Sequence, residues 1–506
     1  MRRSILPFLF TFVFLGALFL LIRSWNLTYL PYYGDEAEYM WDAQTALHDP
    51  SQRFISLQVG KQPLYIWIVM LFLKVVPNPL LAGRLVSVIA GLLTMLGIWL
   101  LTLRLFKNRR VAIMSILLYI FYPFAQFINR MGNFDSTVAM FYVWSLYFTV
   151  VLVQNVRLDL AYTLGFSLAG GILTKTNAFF SIYLLPFSLI LFDYKRKNWL
   201  RILAKLFLLF GVAAVLANLL YAIQQLSPYY ERILWFNGDF VYPKREWLHL
   251  PLDFRIRLFL KNVSTITQHL WTYITPSYIL LLAMSPFFLS KHKKVELLLL
   301  GYWFLPTLAL AIFAKGVASR WMFLFTLPLL PLIAFTFVSL YLHIFKALSR
   351  YHQILINFIM SAFTVLIFCY PVIQVLLLAV DPYDANSPDK FAFYYCSLWG
   401  VRDIAPYLTH EAKKRKIFIA IRGLQGPIHA LKLYAGPNSN MIIKGYVINW
   451  GEYPSDLLKY AQIMPSYYLS YEGDTYFMRE TSRVKVVKQP RYPRDSGCVM
   501  RLYKAL

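Results

Sequence analysis

The sequence is poor in cysteine and in acidic residues. Its three cysteines, Cys369, Cys396 and Cys498, match no metal-ligand spacing and set no disulfide framework. The last two could pair if the C-terminal region is extracytoplasmic. No internal repeat and no low-complexity segment is visible. Because transporters often carry inverted repeats, this lack disfavours a transporter.

The shortage of acids leaves 24 Asp and Glu against 50 Lys and Arg, a net charge of +26. In a soluble protein such a charge would indicate nucleic-acid binding. Here 59% of the residues are hydrophobic and 18% aromatic, which indicates a membrane protein. Much of the positive charge stands between apolar runs, at 107–110, 195–201, 291–294 and in Lys346 with Arg350. The pattern predicts cytoplasmic loops in a polytopic membrane protein with no nucleic-acid partner.

The apolar runs predict about 11 transmembrane helices, with the N-terminus in the cytoplasm and the C-terminus outside. The first run is roughly 18 residues long and no small-residue cleavage site follows it, so it is interpreted as a retained span rather than a signal peptide. The predicted spans lie near 5–22, 84–106, 111–129, 136–153, 160–174, 178–192, 202–222, 276–290, 295–313, 321–343 and 353–380.

One short apolar run, 63–76, is not counted as a transmembrane helix, because counting it would place the basic cluster 107–110 on the external side. We interpret it as an interfacial helix in a long external loop, 24–83. A second large external loop covers 223–275. The predicted fold is thus an α-helical membrane domain, 1–380, followed by a small extracytoplasmic α/β domain, 381–506.

The C-terminal region alternates short β-like and helix-like stretches, which is typical of an α/β domain. The predicted strands are 416–421, 441–448, 467–472 and 498–506, and the predicted helices are 401–415, 426–436 and 454–462.

Acidic and basic residues collect at the external ends of the predicted spans. The acids are concentrated in "PYYGDEAEYMWDA" (31–43), just after the first span. Carboxylates facing cations at a wet interface suit an enzyme that deprotonates a hydroxyl at one point and holds a phosphate at another.

Several motifs in this set resemble those of GT-C membrane glycosyltransferases. In order they are "GDEAEYMWDAQ", "GKQPLYIW", "GRLVSVIAGLL", "RMGNFDS", "LTKTN" and "SRWMFLFTLPLLPLIA". The likeness is to the protein O-mannosyltransferase and lipid A aminoarabinose transferase group. It implies inverting transfer of a sugar from a polyprenyl-phosphate carrier to a hydroxyl of a protein, lipid or glycan, on the outer face of the cell membrane.

The resemblance also implies roles for individual acids. Asp35 matches the first-loop acid that acts as the catalytic base or orients the acceptor, with Glu36 as a helper. Asp135, in "NFDS", is similar to the second-loop acid that assists it. A hydroxyl is a poor nucleophile, so a carboxylate aligned with it is the expected partner.

Four basic residues are candidates for binding the phosphate of the donor: Lys61, Arg84, Lys175 and Arg320. Lys61, in "GKQP", resembles the lysine near the carrier phosphate, and Arg320 the basic position of an Arg-Tyr motif. Cations here would stabilise the charge that grows on the leaving phosphate. We therefore expect no required cofactor, although two acids could still hold a divalent cation.

The chain departs from the family pattern in two places. Trp321 stands where a tyrosine usually follows the arginine, so a role for that hydroxyl is in doubt. Gln62 stands where a second proline often follows the lysine.

Structural alternatives exist for the candidate acids. Asp35 and Glu38 form a D-x-x-E pattern, so Asp35 could be a helix N-cap. Asp135 could cap the span that begins at Ser136. Glu38 and Asp42 are expected to be solvated or capping.

The candidate cations and the aromatic loop have structural alternatives too. Lys61 and Arg84 could be snorkelling residues, and Lys175 and Lys315 outer-surface anchors. The Tyr- and Trp-rich loop 223–275 fits an interfacial belt or a sugar- or lipid-binding surface equally well. The histidines His249, His269 and His429 have no neighbours at metal-ligand spacing.

Two alternative functions remain open at this stage. Oligosaccharide transfer from a pyrophosphate lipid would favour a metal-dependent site. A transporter or flippase for a lipid-linked sugar should carry ionisable residues near the membrane midplane, whereas here they cluster at span ends.

Overall fold

The structure is a computed structural model that describes residues 6–349, 351–380, 398–423, 425–436, 440–447, 454–471, 484–488 and 500–505. The chain divides into two compact units. The first, here the membrane unit, comprises Met1–Trp25, Arg53–Ile68 and Arg84–Pro388. The second, here the α/β unit, comprises Asn26–Gln52, Val69–Gly83 and Asp389–Leu506, so it joins parts of the first predicted external loop to the C-terminal region.

The described residues are mainly helical. In chain order the helices are α1 (Leu6–Ser24), α2 (Gly34–His48), α3 (Leu64–Phe72), α4 (Pro79–Phe106), α5 (Arg109–Ile120), α6 (Pro123–Asn129), α7 (Phe134–Asn155), α8 (Leu158–Thr174), α9 (Phe179–Tyr183), α10 (Trp199–Tyr221), α11 (Arg232–Phe240), α12 (Lys244–His249), α13 (Leu252–Ile274), α14 (Pro276–Ala283), α15 (Ser285–Phe288), α16 (Lys293–Phe313), α17 (Ser319–Thr326), α18 (Leu329–Leu348), α19 (Gln353–Val380), α20 (Trp399–Lys414), α21 (Gly426–Ala435) and α22 (Ser455–Ala461). Short 3-10 helices occur at Pro50–Gln52, Ile55–Val59, Thr176–Ala178, Pro186–Leu191, Ala222–Leu226 and Ser290–His292.

The chain is a multi-pass membrane protein. Among the residues that the structure describes, six helices are long and apolar enough to cross a membrane, namely α4, α7, α10 with its extension to Leu226, α16, α18 and α19, and the bent pair α5 and α6 would be a seventh. Three shorter apolar helices, Phe10–Ser24, Leu158–Thr174 and Thr176–Leu191, overlap further predicted spans. The predicted span 276–290 is divided into the short helices α14 and α15. The count of 11 therefore stays a prediction.

The predicted interfacial run contains only the nine-residue helix α3. At 1.5 Å per residue, α3 is about 14 Å long, half of what a bilayer core requires. The exclusion of this run from the spans thus agrees with its length in the structure.

The bend of 59° between α5 and α6 is stabilised by two arginines. A break in a membrane helix frees backbone carbonyls that need a donor. Nη2 of the buried Arg23 donates to the carbonyls of Tyr119 (3.2 Å) and Ile120 (3.0 Å) at the end of α5. Arg130, at the end of α6, donates in turn to the carbonyls of Arg23 (3.0 Å) and Trp25 (2.6 Å). These two side chains tie α1 to the broken span.

The predicted external loop 223–275 is largely helical, since it contains α11, α12 and α13. On α13 the buried residues Leu258, Asn262 and Ile266 recur every fourth position, which places them on one face of the helix. The Asn262 amide donates to the carbonyls of Ala311 (3.1 Å), in the last turn of α16, and Ala314 (2.8 Å), its C-cap.

The C-terminal region forms the predicted α/β fold. Its strands are β1 (Ile417–Arg422), β2 (Met441–Tyr446), β3 (Ser466–Tyr471), β4 (Val484–Lys488) and β5 (Met500–Ala505). They form one sheet in the order β2-β1-β3-β5-β4, in which β1 is parallel to β2 and β3, and β5 is antiparallel to β3 and β4. The four predicted strands are confirmed within two residues, whereas β4 was not predicted. The proposed Cys396–Cys498 pair lies outside the described residues.

Candidate functional site

The acidic stretch forms helix α2, which begins at Gly34 with Tyr33 as its N-cap. The Glu36 carboxylate accepts a hydrogen bond from the backbone N–H of Tyr33 at 3.0 Å. This is the return contact of a capping box, with Glu36 at the third helical position. The alternative in which Asp35 caps the helix and Glu38 returns to it is therefore wrong, and Asp35 lies within the first turn.

The acids of α2 differ in burial within the α/β unit. Glu36, Glu38 and Asp42 are 0, 4 and 5% exposed, whereas Asp35 is partly exposed. The expectation that Glu38 and Asp42 are solvated or capping is thus wrong, since both are buried and the cap of α2 is made by Tyr33 and Glu36. Burying carboxylates costs free energy unless polar partners surround them. Asp35 is the member of this group with the best access to an incoming molecule.

The "GKQP" turn is held in the membrane unit by α11. Gly60, with φ +74°, ends the 3-10 helix Ile55–Val59. The Arg232 guanidinium of α11 donates to the Gln58 carbonyl at 2.6 Å. Lys61 Nζ lies 5.9 Å from the centroid of the Phe236 ring, also on α11. The turn and α11 together thus determine where the Lys61 ammonium is held.

We expect Gly60→Ala to destabilise this turn. A Cβ at residue 60 would lie 2.6 Å from the Arg232 carbonyl oxygen and would overlap Phe236 Cβ, and the positive φ is itself unfavourable for alanine. Strain of this kind costs about 1–3 kcal/mol. The midpoint of thermal unfolding in detergent should fall. Gly238→Ala is the matched control, because a Cβ there meets nothing within 4 Å. Equal midpoints for the two variants would contradict the proposed close contact.

Gln62 explains one departure from the family pattern. Its buried amide Nε2 donates to the hydroxyl of Thr176 at 2.5 Å, within "LTKTN". A proline at this position could not make that bond. The glutamine therefore connects the "GKQP" and "LTKTN" motifs, which are far apart in the sequence.

Asp135 and Lys175 form an ion pair in the membrane unit. Lys175 Nζ lies 2.5 Å from Asp135 Oδ1, and the two side chains are 23% and 3% exposed. Asn133 is the N-cap of α7, so Asp135 lies in the first turn and is not the cap of that helix. Lys175 is not a surface anchor, because its ammonium faces the buried carboxylate of Asp135.

Arg320 and Trp321 lie in the first turn of helix α17, and Trp321 lies close to the end of α11. The Trp321 ring contacts the Phe240 ring of α11 edge to face at 5.3 Å. Val241 forms a β-bridge with Ala314, which brings the chain after α11 beside the chain before α17. Trp321 thus has a packing role in the place where the family usually has a tyrosine.

Lys315 belongs to the same group. Its backbone N–H donates to the Phe240 carbonyl at 2.9 Å, and its ammonium lies 4.9 Å from the centroid of the Tyr242 ring. The Phe236 and Phe240 rings of α11 contact each other, with centroids 5.0 Å apart. These two residues and Tyr242, which follows α11, are here called the α11 aromatic row. Lys61, Lys315 and Trp321 border it, and Arg320 is the residue before Trp321.

Arg84, on α4, is 1% exposed. The snorkelling alternative requires a head group that reaches the membrane surface, so it does not fit this residue. Among the residues that the structure describes, no group of three or more His, Cys, Asp or Glu side chains is placed to hold a metal ion.

Sequence reasoning missed the α11 aromatic row and the Gln62–Thr176 contact. The segment 223–275 is rich in aromatic residues, but only the structure shows that Phe236 contacts Lys61 and that Phe240 contacts Trp321. Asp35 and Glu36 belong to the α/β unit, whereas Lys61, Arg84, Asp135, Lys175 and Arg320 belong to the membrane unit.

Comparison with known proteins supports the resemblance noted in the sequence. Residues 60–221 match the family described as dolichyl-phosphate-mannose-protein mannosyltransferase. No curated protein matches the sequence.

Solved structures with a similar fold include ArnT from Cupriavidus metallidurans bound to undecaprenyl phosphate. Its TM-score is 0.58 at 14% identity, over 100% of this chain and 98% of that one. The apo form of the same protein has a TM-score of 0.56 at 13% identity, over 99% and 98%. The archaeal oligosaccharyltransferase AglB from Archaeoglobus fulgidus, in complex with an inhibitory peptide and a dolichol-phosphate, has a TM-score of 0.54 at 12% identity, over 93% and 70%. The predicted resemblance to the GT-C glycosyltransferases of the mannosyltransferase and aminoarabinose transferase group is therefore confirmed, by the family match over 60–221 and by an ArnT-like fold.

Proposed function

We propose that this protein is an inverting glycosyltransferase that moves a sugar from a polyprenyl-phosphate carrier to a hydroxyl acceptor. The observation that carries the proposal is that Lys61 and Trp321, the residue next to Arg320, contact Phe236 and Phe240 of the same helix, α11, although they lie far apart in the sequence. Lys61 also lies inside the segment that matches the mannosyltransferase family.

The donor half of the reaction requires cations. As the bond between the anomeric carbon and the phosphate oxygen breaks, the electron pair stays on the phosphate of the departing carrier. Lys61 and Arg320 would bind that phosphate and stabilise the charge that increases on it in the transition state. The adjacent aromatic row is suited to contact the sugar ring or the first carbons of the lipid chain.

The acceptor half requires a base. We assign this role to Asp35, whose carboxylate would take the proton from the acceptor hydroxyl as its oxygen attacks the anomeric carbon from the opposite face. Glu36 would act by holding the first turn of α2 through its bond to Tyr33. Asp135 would assist the base, Asp35. Its ion pair with Lys175 keeps both side chains of the pair in one place.

The proposal extends to topology, with the N-terminus in the cytoplasm and the reacting groups and C-terminal region outside. The basic clusters that follow α4 and precede α10 and α16 support this orientation through the positive-inside rule.

A direct test is to incubate the purified protein with a panel of polyprenyl-phosphate sugars and with protein, lipid and glycan acceptors, and to identify products by mass spectrometry. We expect one donor to be consumed with formation of a glycosylated hydroxyl. Lys61→Met should lower kcat/KM by roughly 10²–10³-fold, because a transition-state cation is lost. Lys205→Met, an exposed lysine on α10, is the control and should leave the rate unchanged.

Two results would contradict the proposal. Movement of the lipid-linked sugar across vesicles without product formation would indicate a transporter. Activity only with pyrophosphate-linked donors, abolished by a chelator, would indicate the oligosaccharide-transferase alternative.

A further inference from the structure

The acidic helix α2 packs against helix α21, almost 400 residues later in the chain, within the α/β unit. The Trp41 indole stacks on the His429 imidazole, with centroids 5.8 Å apart and planes at 7°. The Lys432 ammonium lies 4.7 Å from the Trp41 ring centroid. His429 and Lys432 are three positions apart, so they face the same side of α21. One aromatic side chain of α2 is thus held by two residues of α21.

The two helices also meet at their first residues. A Cβ on Gly426 would lie 2.8 Å from Gly34 Cα and 3.1 Å from the Gly34 carbonyl oxygen. Both neighbours are backbone atoms, which cannot rotate away as a side chain can. Any side chain at residue 426 would therefore have to displace the start of α2, one residue before Asp35.

The segment leading into α2 is held by the same part of the chain. The Tyr32 backbone N–H donates to the Tyr434 hydroxyl at 3.3 Å, and the Tyr32 carbonyl accepts from the Leu398 N–H at 2.9 Å. Arg402 of α20 donates to the Tyr29 carbonyl at 3.1 Å. These contacts fix the chain on the N-terminal side of Asp35.

Helix α2 needs such support. It has 15 residues and carries four acids, three of them buried, and an isolated helix of this length is marginal in water. Its stability and direction must come mostly from packing. The packing partner given by the contacts is α21.

We propose that the C-terminal α/β region positions the acidic helix for the reaction, with Gly426, His429 and Lys432 as the residues that set the place and direction of Asp35. They act through α2 and are positioning residues, not catalytic ones. This inference rests on the proposed function, because Asp35 is its assigned base.

The test compares Gly426→Ala with Gly211→Ala, a helical glycine of α10 whose added Cβ meets nothing within 4 Å. In the Gly426 variant we expect faster amide hydrogen exchange over residues 34–48 and a kcat lowered by roughly 10- to 100-fold. The KM for the donor should stay within about twofold, because the proposed phosphate cations belong to the membrane unit. The Gly211 variant should match the wild type in all three measurements.

A second pair of variants keeps the inference testable if Gly426→Ala does not fold. His429→Ala removes the ring that stacks on Trp41, and His429→Phe restores a flat ring. The alanine variant should lower kcat, and the phenylalanine variant should recover most of it. Unchanged exchange over 34–48, or faster exchange with an unchanged kcat, would overturn the inference. If the wild type itself transfers no sugar, the proposed function fails, whereas the exchange measurement still decides whether α21 holds α2.

Discussion

Replacing Asp35 with asparagine is expected to lower kcat by roughly 10²–10⁴-fold and to leave the protein folded. Asparagine has the shape of aspartate but cannot accept the acceptor's proton. Asp35 is partly exposed and does not cap α2, because Tyr33 and Glu36 do so. The substitution therefore removes the base without removing the start of the helix. Product formation measured by mass spectrometry, together with the midpoint of thermal unfolding, separates these two effects.

Asp49→Asn is the matched control for this prediction. Asp49 is an exposed acid directly after α2, and one of its oxygens accepts hydrogen bonds from Ser51. An asparagine oxygen can accept the same bonds, so activity should stay within about twofold of the wild type. A fully active Asp35→Asn protein would refute the assignment of Asp35 as the base.

Replacing Lys175 with methionine is expected to lower the free energy of unfolding by about 3 kcal/mol. The Asp135 carboxylate is 3% exposed and would lose the ammonium that lies 2.5 Å from it. Removing one member of a buried ion pair leaves a charge that is poorly solvated. We take the lower end of the usual range because Lys175 is 23% exposed and water reaches its ammonium. The thermal unfolding midpoint in detergent should fall by several degrees.

The double variant Asp135→Asn/Lys175→Met tests both the ion pair and the proposed role of Asp135. Removing both charges should restore most of the stability, because no unpaired charge then remains buried. If Asp135 assists the base, the double variant should be folded but slow in sugar transfer. A single Lys175 variant as stable as the wild type would contradict the structural importance of the pair. A double variant that transfers sugar at the wild-type rate would show that Asp135 does not assist the reaction.

Much of the fold could be predicted because membrane helices and short strands depend on local patterns. Apolar runs and basic clusters identify helices such as α4, α7 and α19 without knowledge of their neighbours. Short runs rich in apolar or aromatic residues identify β1 and β3 in the same way. The bend between α5 and α6 was not predicted, although Pro123 is a local signal for a helix break. What only the structure contains is Arg23, a residue distant in the sequence that donates to the freed carbonyls.

The candidate site was predictable only as a set of residues. Motif order identifies Asp35, Lys61, Asp135 and Arg320 as candidates, but it contains no information on burial or partners. The burial of Glu38 and Asp42 escaped prediction because it depends on tertiary packing around α2, which the local sequence does not contain.

The sequence by itself determined that this is a multi-pass membrane protein with a C-terminal α/β region and the motifs of a GT-C glycosyltransferase. Composition and local apolar patterns are sufficient for the membrane spans and the α/β region, and the order of short motifs is sufficient for the resemblance, since each can be recognised without knowledge of tertiary contacts. Only the tertiary structure decided that Glu36 rather than Asp35 completes the cap of α2, that Lys175 pairs with Asp135, and that α11 borders both Lys61 and Trp321. These are contacts between segments that meet only when the chain has packed.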